Sequence, residues 1–375
     1  MLIEAATVPA DTTIEADVCI VGAGPAGITL ARELERSGQR ICLLESGGFA
    51  AEPRVQALNR GEIAGDWAQP LEQMRQRRVG GTAHGWAERI GFRRPGGRFV
   101  PLTPVDFERR EGVPNSGWPF GFEELRPYYV RAQRLCQLGP FAYDGAHWQT
   151  ARAPLLPLAN ELVQTRVFQI GRRSVFTDSH AAALARSRRV SLYLHATALA
   201  LQTNGCGAAV TRVCVAAPGG RRFAVAARLF VLAQGAIENA RLLLLSNGDR
   251  PAGPGNEHDL VGRFLMEHPQ VYTGMLVPFA AQTWRHAGLY DVQTVAGVPV
   301  MGHLALDDAA LRRDARTAAG MMLFPRPRPA EIAAADRAWS ILRRPARLRG
   351  AARAMLGDLV PGRHYLWPLL LRTFT

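Results

Sequence analysis

The chain has 375 residues, 47% of them hydrophobic, so it can bury a large core, and the usual size of a domain predicts two domains. Its formal net charge is +13, but all 45 basic residues are arginine, which we interpret as a bias of composition and not as a sign of nucleic-acid binding. The longest apolar runs are too short to cross a bilayer, which argues against a membrane-spanning protein.

The N-terminal residues and the cysteines together predict a cytoplasmic location. Residues 1–17 contain acidic residues but no Lys or Arg, so they lack the charged start of a secretory signal. The five cysteines form no C-x-x-C pair, as is typical of reduced cytoplasmic thiols. Two of them, Cys19 and Cys42, fall in strands that we predict to be buried.

Residues 17–47 have the pattern of a βαβ nucleotide-binding unit. The apolar run 18–21 predicts a buried strand, and Gly22, Gly24 and Gly27 then make G-x-G-x-x-G at the turn into a helix. A side chain at the first glycine would block the turn, one at the second would hold a pyrophosphate away, and one at the third would push the helix from the strand. The pattern predicts a dinucleotide at the helix N-terminus, the alternative being a glycine-rich turn in an ordinary α/β protein.

The second half of this unit predicts the contact with the ribose. Apolar residues at helical spacing lead to Gly38, which ends the helix, and the strand 41–44 follows. Glu45 comes eighteen positions after Gly27, where a carboxylate can accept hydrogen bonds from ribose hydroxyls. The same carboxylate would repel a 2′-phosphate, which disfavours NADP.

A second glycine-rich segment, residues 77–86, reads Arg-Arg-Val-Gly-Gly-Thr-Ala-His-Gly-Trp. Its paired glycines, Gly80 and Gly81, let the main chain approach a flat cofactor. With these motifs the chain resembles the glucose–methanol–choline oxidoreductases, which hold FAD and oxidise alcohols. Further segments carry the resemblance: 93–95, 101–107, 116–120, 125–129, 231–243 and 261–269. One departure is Asn239-Ala240, where many members have Ser or Thr followed by Pro.

The resemblance implies an α/β fold, with a Rossmann-like FAD-binding domain containing a parallel sheet and an incomplete α+β substrate domain. We predict the following boundaries: 14–110 for the first part of the FAD-binding domain, 111–164 for a connecting and substrate-side segment, 165–270 for the second part of the FAD-binding domain, and 271–375 for a partial substrate domain. Within the last, residues 271–305 are predicted to be strand-rich and 329–356 helical.

The resemblance also implies FAD as the cofactor and a set of residues that hold it. These are Gly22, Gly24, Pro25, Ala26, Gly27, Glu45, Gly80, Gly81, Thr82, His84, Trp86, Ala198 and Gly235. In this set, Ala198 would lie on the adenine side, and Trp86 would pack beside the isoalloxazine or in the core.

His84 has three interpretations. Some members of the family tether FAD covalently through a histidine four positions beyond the second glycine, whereas His84 lies three positions beyond Gly81. A covalent bond, a polar contact near the flavin and a purely structural histidine therefore all remain open.

The catalytic residues are not identified in this chain. In the family, a C-terminal His with His or Asn beside it takes the hydroxyl proton while hydride passes from the carbinol carbon to flavin N5. Nothing after His268 resembles that segment, and His364 lacks its glycine- and threonine-rich surroundings. His268 itself has equal functional and structural interpretations, whereas His286 and His303 are predicted to be structural. No metal-ligand cluster stands out, so no metal is predicted.

The implied function is FAD-dependent oxidation of the CH–OH group of a small alcohol or sugar, with an undefined electron acceptor and no nucleic-acid partner. Members of the family usually continue further, so the alternative is a truncated or split member that binds FAD but is inactive alone and needs a complementing C-terminal chain. Residues 312–375 carry 13 arginines against four acidic residues. This segment is either a basic helix that contacts a membrane or an acidic partner, or an arginine-rich solvated face, which we favour.

Overall fold

The computed structural model describes residues 1–65, 70–90, 94–158, 162–267, 271, 274 and 281–323. The chain divides into two compact units. The first comprises Met1–Ala87, Val130–Leu138 and the described part of Gly171–Val277, and the second comprises Glu88–Tyr129, Gly139–Ile170 and, of the later residues, 281–323. Residues 88–110, which we assigned to the FAD-binding domain, cluster with the second unit. The functional roles of the domains stay predictions.

Short strands and helices alternate along the chain. The strands are β1 (Leu2–Glu4), β2 (Thr13–Val21), β3 (Ile41–Leu44), β4 (Glu88–Ile90), β5 (Arg94–Phe99), β6 (Val163–Arg172), β7 (Val190–Leu194), β8 (Thr197–Thr203), β9 (Val210–Ala216), β10 (Arg222–Leu232), β11 (Gln293–Val295), β12 (Val298–Leu306) and β13 (Gly320–Met321). The α-helices are α1 (Pro25–Leu34), α2 (Pro53–Gln56), α3 (Leu71–Met74), α4 (Pro104–Phe107), α5 (Phe122–Leu135), α6 (Gly145–Trp148), α7 (His180–Arg186), α8 (Ala236–Leu245) and α9 (Asp308–Arg313). Short 3₁₀ helices span Ala5–Thr7, Ala57–Asn59, Gly81–Gly85, Pro218–Gly220 and Ala281–Tyr290, and Val175–Ser179 is a π-helical turn.

The first unit is built on a seven-stranded sheet with the order β1-β7-β3-β2-β10-β9-β8. Five neighbouring strands, β1, β7, β3, β2 and β10, run parallel. Strand β9 pairs antiparallel with both β10 and β8. The predicted strand, helix and strand of the βαβ unit are confirmed as β2, α1 and β3. The parallel sheet confirms the predicted Rossmann-like fold class.

The central strands of this sheet are apolar because both of their faces are buried. Every residue of β3 is buried, and on β2 the side chains of Cys19 and Ile20 are fully buried. Cys19 lies opposite Cys42 of β3. Both cysteines are buried, as predicted. A hydrogen bond with Cys19 and burial raise the pKa of the Cys42 thiol well above its usual range, so it stays protonated.

Two glycines let α1 lie directly against the end of β2. A Cβ atom at Gly27 would lie 1.9 Å from the carbonyl oxygen of Gly22, far inside van der Waals contact. Gly22 itself has φ of +104°, which side-chain-bearing residues rarely adopt. Ile28 and Ala31 on the same face of the helix are fully buried. The close approach fixes the helix N-terminus at the edge of the sheet.

The second unit is built on a separate sheet with the order β11-β12-β6-β5-β4, and β13 pairs with β12. Its core contains Trp148, Leu289 and Tyr290, packed with Val167 of β6 and Val300 of β12. In the part of 271–305 that is described, β11 and β12 agree with the strand-rich prediction, but Ala281–Tyr290 is a 3₁₀ helix.

The predicted helix 329–356 lies outside the described residues, as does most of the basic segment 312–375. Among the helices that the structure does describe, we find none with both the length and the apolar character needed to cross a bilayer.

In the first unit, His195 ties two chain segments together. Its Nδ1 lies 2.8 Å from the Glu4 carboxylate at the end of β1, and its Nε2 lies 2.8 Å from the Glu52 carboxylate before α2. Burial acts to lower the pKa of His195, but the hydrogen bonds to Glu52 and Glu4 outweigh it and raise the pKa above the ordinary value of 6.5. The protonated ring can donate to both carboxylates at once.

We expect His195→Gln to destabilise the protein in a pH-dependent way. Because the folded-state pKa is raised, the stabilisation by His195 is fully present below pH 6.5 and is lost as the pH rises through the folded-state pKa. The loss is about 0.5 kcal/mol at acidic pH, since the groups are partly exposed. The measurement is the melting temperature of wild type and variant against pH, with the exposed His258→Gln as control. A difference that does not change with pH would contradict the ion-pair role.

Candidate functional site

A cleft of about 300 Å³ lies in the first unit, at the carboxyl ends of β2 and β3. This edge of a parallel sheet is where α/β proteins bind nucleotide ligands. The lining residues are Val21, Gly22, Gly24, Pro25, Ala26, Leu44, Glu45, Ser46, Asn59, Arg75, Gln76, Arg77, Gly81, Thr82, Ala196, Ala198, Ala233, Gln234, Gly235 and Glu238. Most of the residues predicted to hold a cofactor thus meet in one cleft.

The start of α1 forms one wall of the cleft. Gly24 is the N-cap, in an extended conformation with φ of −78°, and Pro25 and Ala26 begin the helix. A Cβ atom at Gly24 would meet no atom of the described part of the chain within 4 Å, so its missing side chain leaves open space. The unpaired backbone N–H groups and the dipole of the first turn make this end attractive to an anion.

The second glycine turn packs directly on the first. The Gly80 amide donates to the Ala23 carbonyl over 2.8 Å, and a Cβ atom at Gly81 would lie 2.9 Å from the Cα of Gly24. Both Gly80 and Gly81 have positive φ, which explains why this turn needs two glycines. The contact brings Gly81 and Thr82 to the cleft, whereas Gly80 lies outside its lining.

Glu45 is held rigidly at the cleft by main-chain donors. Its carboxylate is almost fully buried and accepts hydrogen bonds from the amides of Ala23, over 3.0 Å, and Gly47, over 2.9 Å. Burial raises the pKa of this carboxyl group, while the two amides oppose the shift. The remaining lone pairs of its oxygens can accept hydrogen bonds from ligand hydroxyls.

Another wall of the cleft is formed by β8 and by the turn from β10 into α8. Ala198 of β8 lines the cleft together with Gly235, which has φ of +87° at the start of α8. The Asn239 side chain accepts from the Gln234 amide over 3.0 Å and donates to the Leu232 carbonyl over 3.1 Å. The residue that departs from the family pattern therefore holds this turn in place.

A network of two arginines and one glutamate also lines the cleft and was not predicted. Glu238 accepts from Arg75 over 2.6 Å and from Arg77 over 2.5 Å, and all three side chains are nearly buried. More than 160 residues separate the arginines from the glutamate in sequence. The local sequence carries no signal for this network.

His84, Trp86 and Gly27 do not line the cleft. The Nε2 of His84 lies 2.9 Å from the Val79 carbonyl, so this nitrogen carries the proton and donates within its own turn. Burial lowers the pKa of His84, which keeps the ring neutral. The ring of Trp86 packs edge-on against Phe176, with ring centroids 5.7 Å apart. These contacts are structural, and direct roles at a flavin stay predictions.

The two later histidines that the structure describes have partners within the second unit. His286 bonds to the Leu155 carbonyl through Nδ1 over 2.8 Å, and His303 stacks on Phe168 with centroids 4.0 Å apart. His268 and His364 lie outside the described residues. In the described part of the chain, no three His, Cys, Asp or Glu side chains are grouped as a metal ion requires.

Two residues of the cleft lining, Arg75 and Gln234, carry buried polar atoms without a partner in the described part of the chain. Arg75 Nε and Nη1 and Gln234 Oε1 are buried and have no hydrogen-bond partner among the described residues. Such atoms are costly to bury unless a ligand or water satisfies them. Together with the helix N-terminus and the open space at Gly24, they match the phosphates and hydroxyls of a dinucleotide.

Comparison with known proteins identifies the dinucleotide. Residues 15–64 match the family model described as an FAD binding domain. The chain is 30% identical over 360 residues to paromamine 6′-oxidase of Streptomyces fradiae. The aligned region covers 82% of this chain and 63% of the oxidase. The chain is 23% identical over 360 residues to the fructose dehydrogenase large subunit of Gluconobacter japonicus, covering 76% of this chain and 63% of that protein.

Among solved structures, the chain is similar to pyridoxine 4-oxidase from Mesorbium loti, with 19% identity over 61% of this chain and 51% of that one and a TM-score of 0.36. The chain spans about 63% of the length of the curated relatives named above. The protein is thus a flavoprotein with an FAD-binding domain, and FAD is its cofactor.

The two glycines of the first turn give a matched pair of substitutions. We expect Gly27→Ala to destabilise the protein by about 3 kcal/mol, because its Cβ would overlap the Gly22 carbonyl. Gly24→Ala should leave stability unchanged, since its backbone is allowed for alanine and its Cβ meets open space. It should instead weaken FAD binding, because the methyl group occupies the cleft.

Thermal unfolding of the FAD-free protein measures the first effect, and quenching of flavin fluorescence measures the second. A Gly24→Ala variant that binds FAD as tightly as wild type would show that Gly24 does not face the cofactor.

Proposed function

We propose that the protein is a glucose–methanol–choline type oxidoreductase that uses FAD to oxidise the CH–OH group of a sugar-like alcohol. The observation that supports this most strongly is the single cleft in which the first glycine turn, Glu45 and Gly235 meet. The family motifs along the chain and the relatives named as a paromamine oxidase and a fructose dehydrogenase support the alcohol or sugar substrate.

Bound FAD supplies the hydride acceptor, flavin N5, for the carbinol carbon of the substrate. The residues of this chain bind and orient the cofactor. In the proposal, Gly24 and the N-terminus of α1 face the phosphates, Glu45 accepts from the ribose hydroxyls, and Ala198 lies on the adenine side. The buried backbone contacts of Glu45 keep its carboxylate oriented without movement on binding.

An alternative is that the chain holds FAD and depends on a complementing chain for catalysis. Among the described residues, the cleft lining contains two carboxylates, Glu45 and Glu238, and no histidine. Both carboxylates already accept strong hydrogen bonds, so neither is placed as a free base for a hydroxyl proton. The base of the reaction is therefore not assigned, and this supports keeping the alternative.

Anaerobic reduction of the flavin tests the function. The FAD-loaded protein is mixed with paromamine, with fructose, and with analogues that lack one hydroxyl group. We expect the visible absorption of the flavin to bleach with at least one of the alcohols and not with the analogue lacking its reacting hydroxyl. Reduction by dithionite serves as the control for a competent flavin.

The outcomes separate the two proposals. A flavin that dithionite bleaches but no alcohol reduces would support the binding-only alternative. Bleaching by the deoxy analogues as well would show that a CH–OH group is not the site of oxidation. A small-molecule substrate, an electron acceptor still to be identified and a cytoplasmic location are part of this proposal.

A further inference from the structure

The Arg75, Arg77 and Glu238 network carries an excess of positive charge. One carboxylate is shared by two guanidinium groups, and the three side chains are only 13%, 10% and 9% exposed. Arg241 approaches the same carboxylate over 3.4 Å and adds further positive charge. Arg77 also interacts electrostatically with Glu45, and Arg241 is 48% exposed to solvent, so Arg75 is the guanidinium of this network that is best suited to receive an anion.

The two arginines differ in how completely their donors are used. Arg77 donates to Asn59 over 2.6 Å, to Ser46 over 3.1 Å and to Glu238 over 2.5 Å, so each of its three nitrogens has a partner. Arg75 donates to Glu238 and Asn59 through Nη2 alone. Its Nε and Nη1 are buried and have no partner within the described chain. Arg75 lines the cleft, and three of its N–H groups, on Nε and Nη1, are buried beside it without a partner among the described residues.

The electrostatics agree with this geometry. Burial lowers the pKa of the Arg75 guanidinium, Glu238 opposes the shift, and Arg77 and Arg241 add to it. An incoming anion would remove this penalty and would form charge-assisted hydrogen bonds, which are stronger than neutral ones. Glu45, the other carboxylate of the cleft, is already engaged by the amides of Ala23 and Gly47.

We propose that Arg75 is an anion-binding residue of the cleft, whose Nε and Nη1 donate to a phosphate oxygen of the FAD pyrophosphate while Glu238 holds its guanidinium in place. The inference rests on FAD binding in this cleft but not on the oxidation of an alcohol. Arg77, each of whose three nitrogens has a partner, acts as a structural support for Glu238 and for the segment before the glycine pair.

Binding of FAD and of riboflavin, which lacks phosphate, separates these roles. We expect Arg75→Gln to weaken FAD binding about tenfold or more, as the loss of charge-assisted hydrogen bonds predicts, and to change riboflavin binding little. Arg75→Lys should restore part of the affinity because it keeps the charge. Inorganic pyrophosphate should compete with FAD in wild type and lose at least as much affinity in Arg75→Gln. Equilibrium quenching of flavin fluorescence measures all of these affinities.

Two control variants make the result specific. Arg60→Gln removes an arginine that also pairs with a glutamate, Glu72 over 3.0 Å, but whose side chain is 73% exposed, and it should bind FAD like wild type. Arg77→Gln should lower the melting temperature and weaken FAD and riboflavin equally. Equal losses of both ligands in Arg75→Gln, or pyrophosphate competition that this variant does not alter, would overturn the proposal. Unchanged FAD affinity in Arg75→Gln would do so as well, whether or not alcohols reduce the flavin.

Discussion

The contact of three backbone segments around Gly22 determines where every wall of the cleft lies. A Cβ atom there would lie 2.7 Å from the Ala233 carbonyl oxygen, and one at Gly27 would lie 1.9 Å from the Gly22 carbonyl oxygen. Main-chain hydrogen bonds from Gly22 to Leu44 and from Ala233 to Val21, each 2.8 Å long, join the same segments. The helix N-terminus, Glu45 and the start of α8 are therefore positioned by backbone atoms, which do not change rotamer.

The two carboxylates of the cleft are stabilised in different ways. Glu45 accepts its hydrogen bonds from neutral main-chain amides, and burial raises the pKa of its carboxyl group against a smaller opposing effect of Arg77. Glu238 is instead paired with arginines at close range. Neutral amides orient a carboxylate without cancelling its charge, whereas guanidinium groups cancel it and leave an excess of the opposite sign. One cleft can thus offer acceptors for hydroxyl groups and donors for phosphates side by side.

The sequence predicted the local unit well and the distant contacts poorly. The βαβ segment was readable because the glycine spacing and the apolar runs act over about thirty residues. Ala198 and Gly235 line the cleft, and their contacts with FAD stay predictions. The pairing of Arg75 with Glu238 had no local signal, since it depends on how β10 and α8 return to the sheet. The hydrogen bond of His84 to the Val79 carbonyl was not predicted either, because it depends on the backbone conformation of the turn and not on residue type.

The position of β10 has a consequence for the order in which the first unit is made. β10 lies beside β2 in the sheet, yet more than two hundred residues separate Val18 from its neighbour Leu229 along the chain. A ribosome-bound chain that has exposed only the βαβ unit lacks the Ala233 turn, Glu238 and half of the central sheet. Contacts of such long sequence separation form late because closing the intervening loop has an entropic cost. A cofactor that binds in this cleft would therefore need the chain through the start of α8 to be synthesised and folded, and it would stabilise that state rather than guide early assembly.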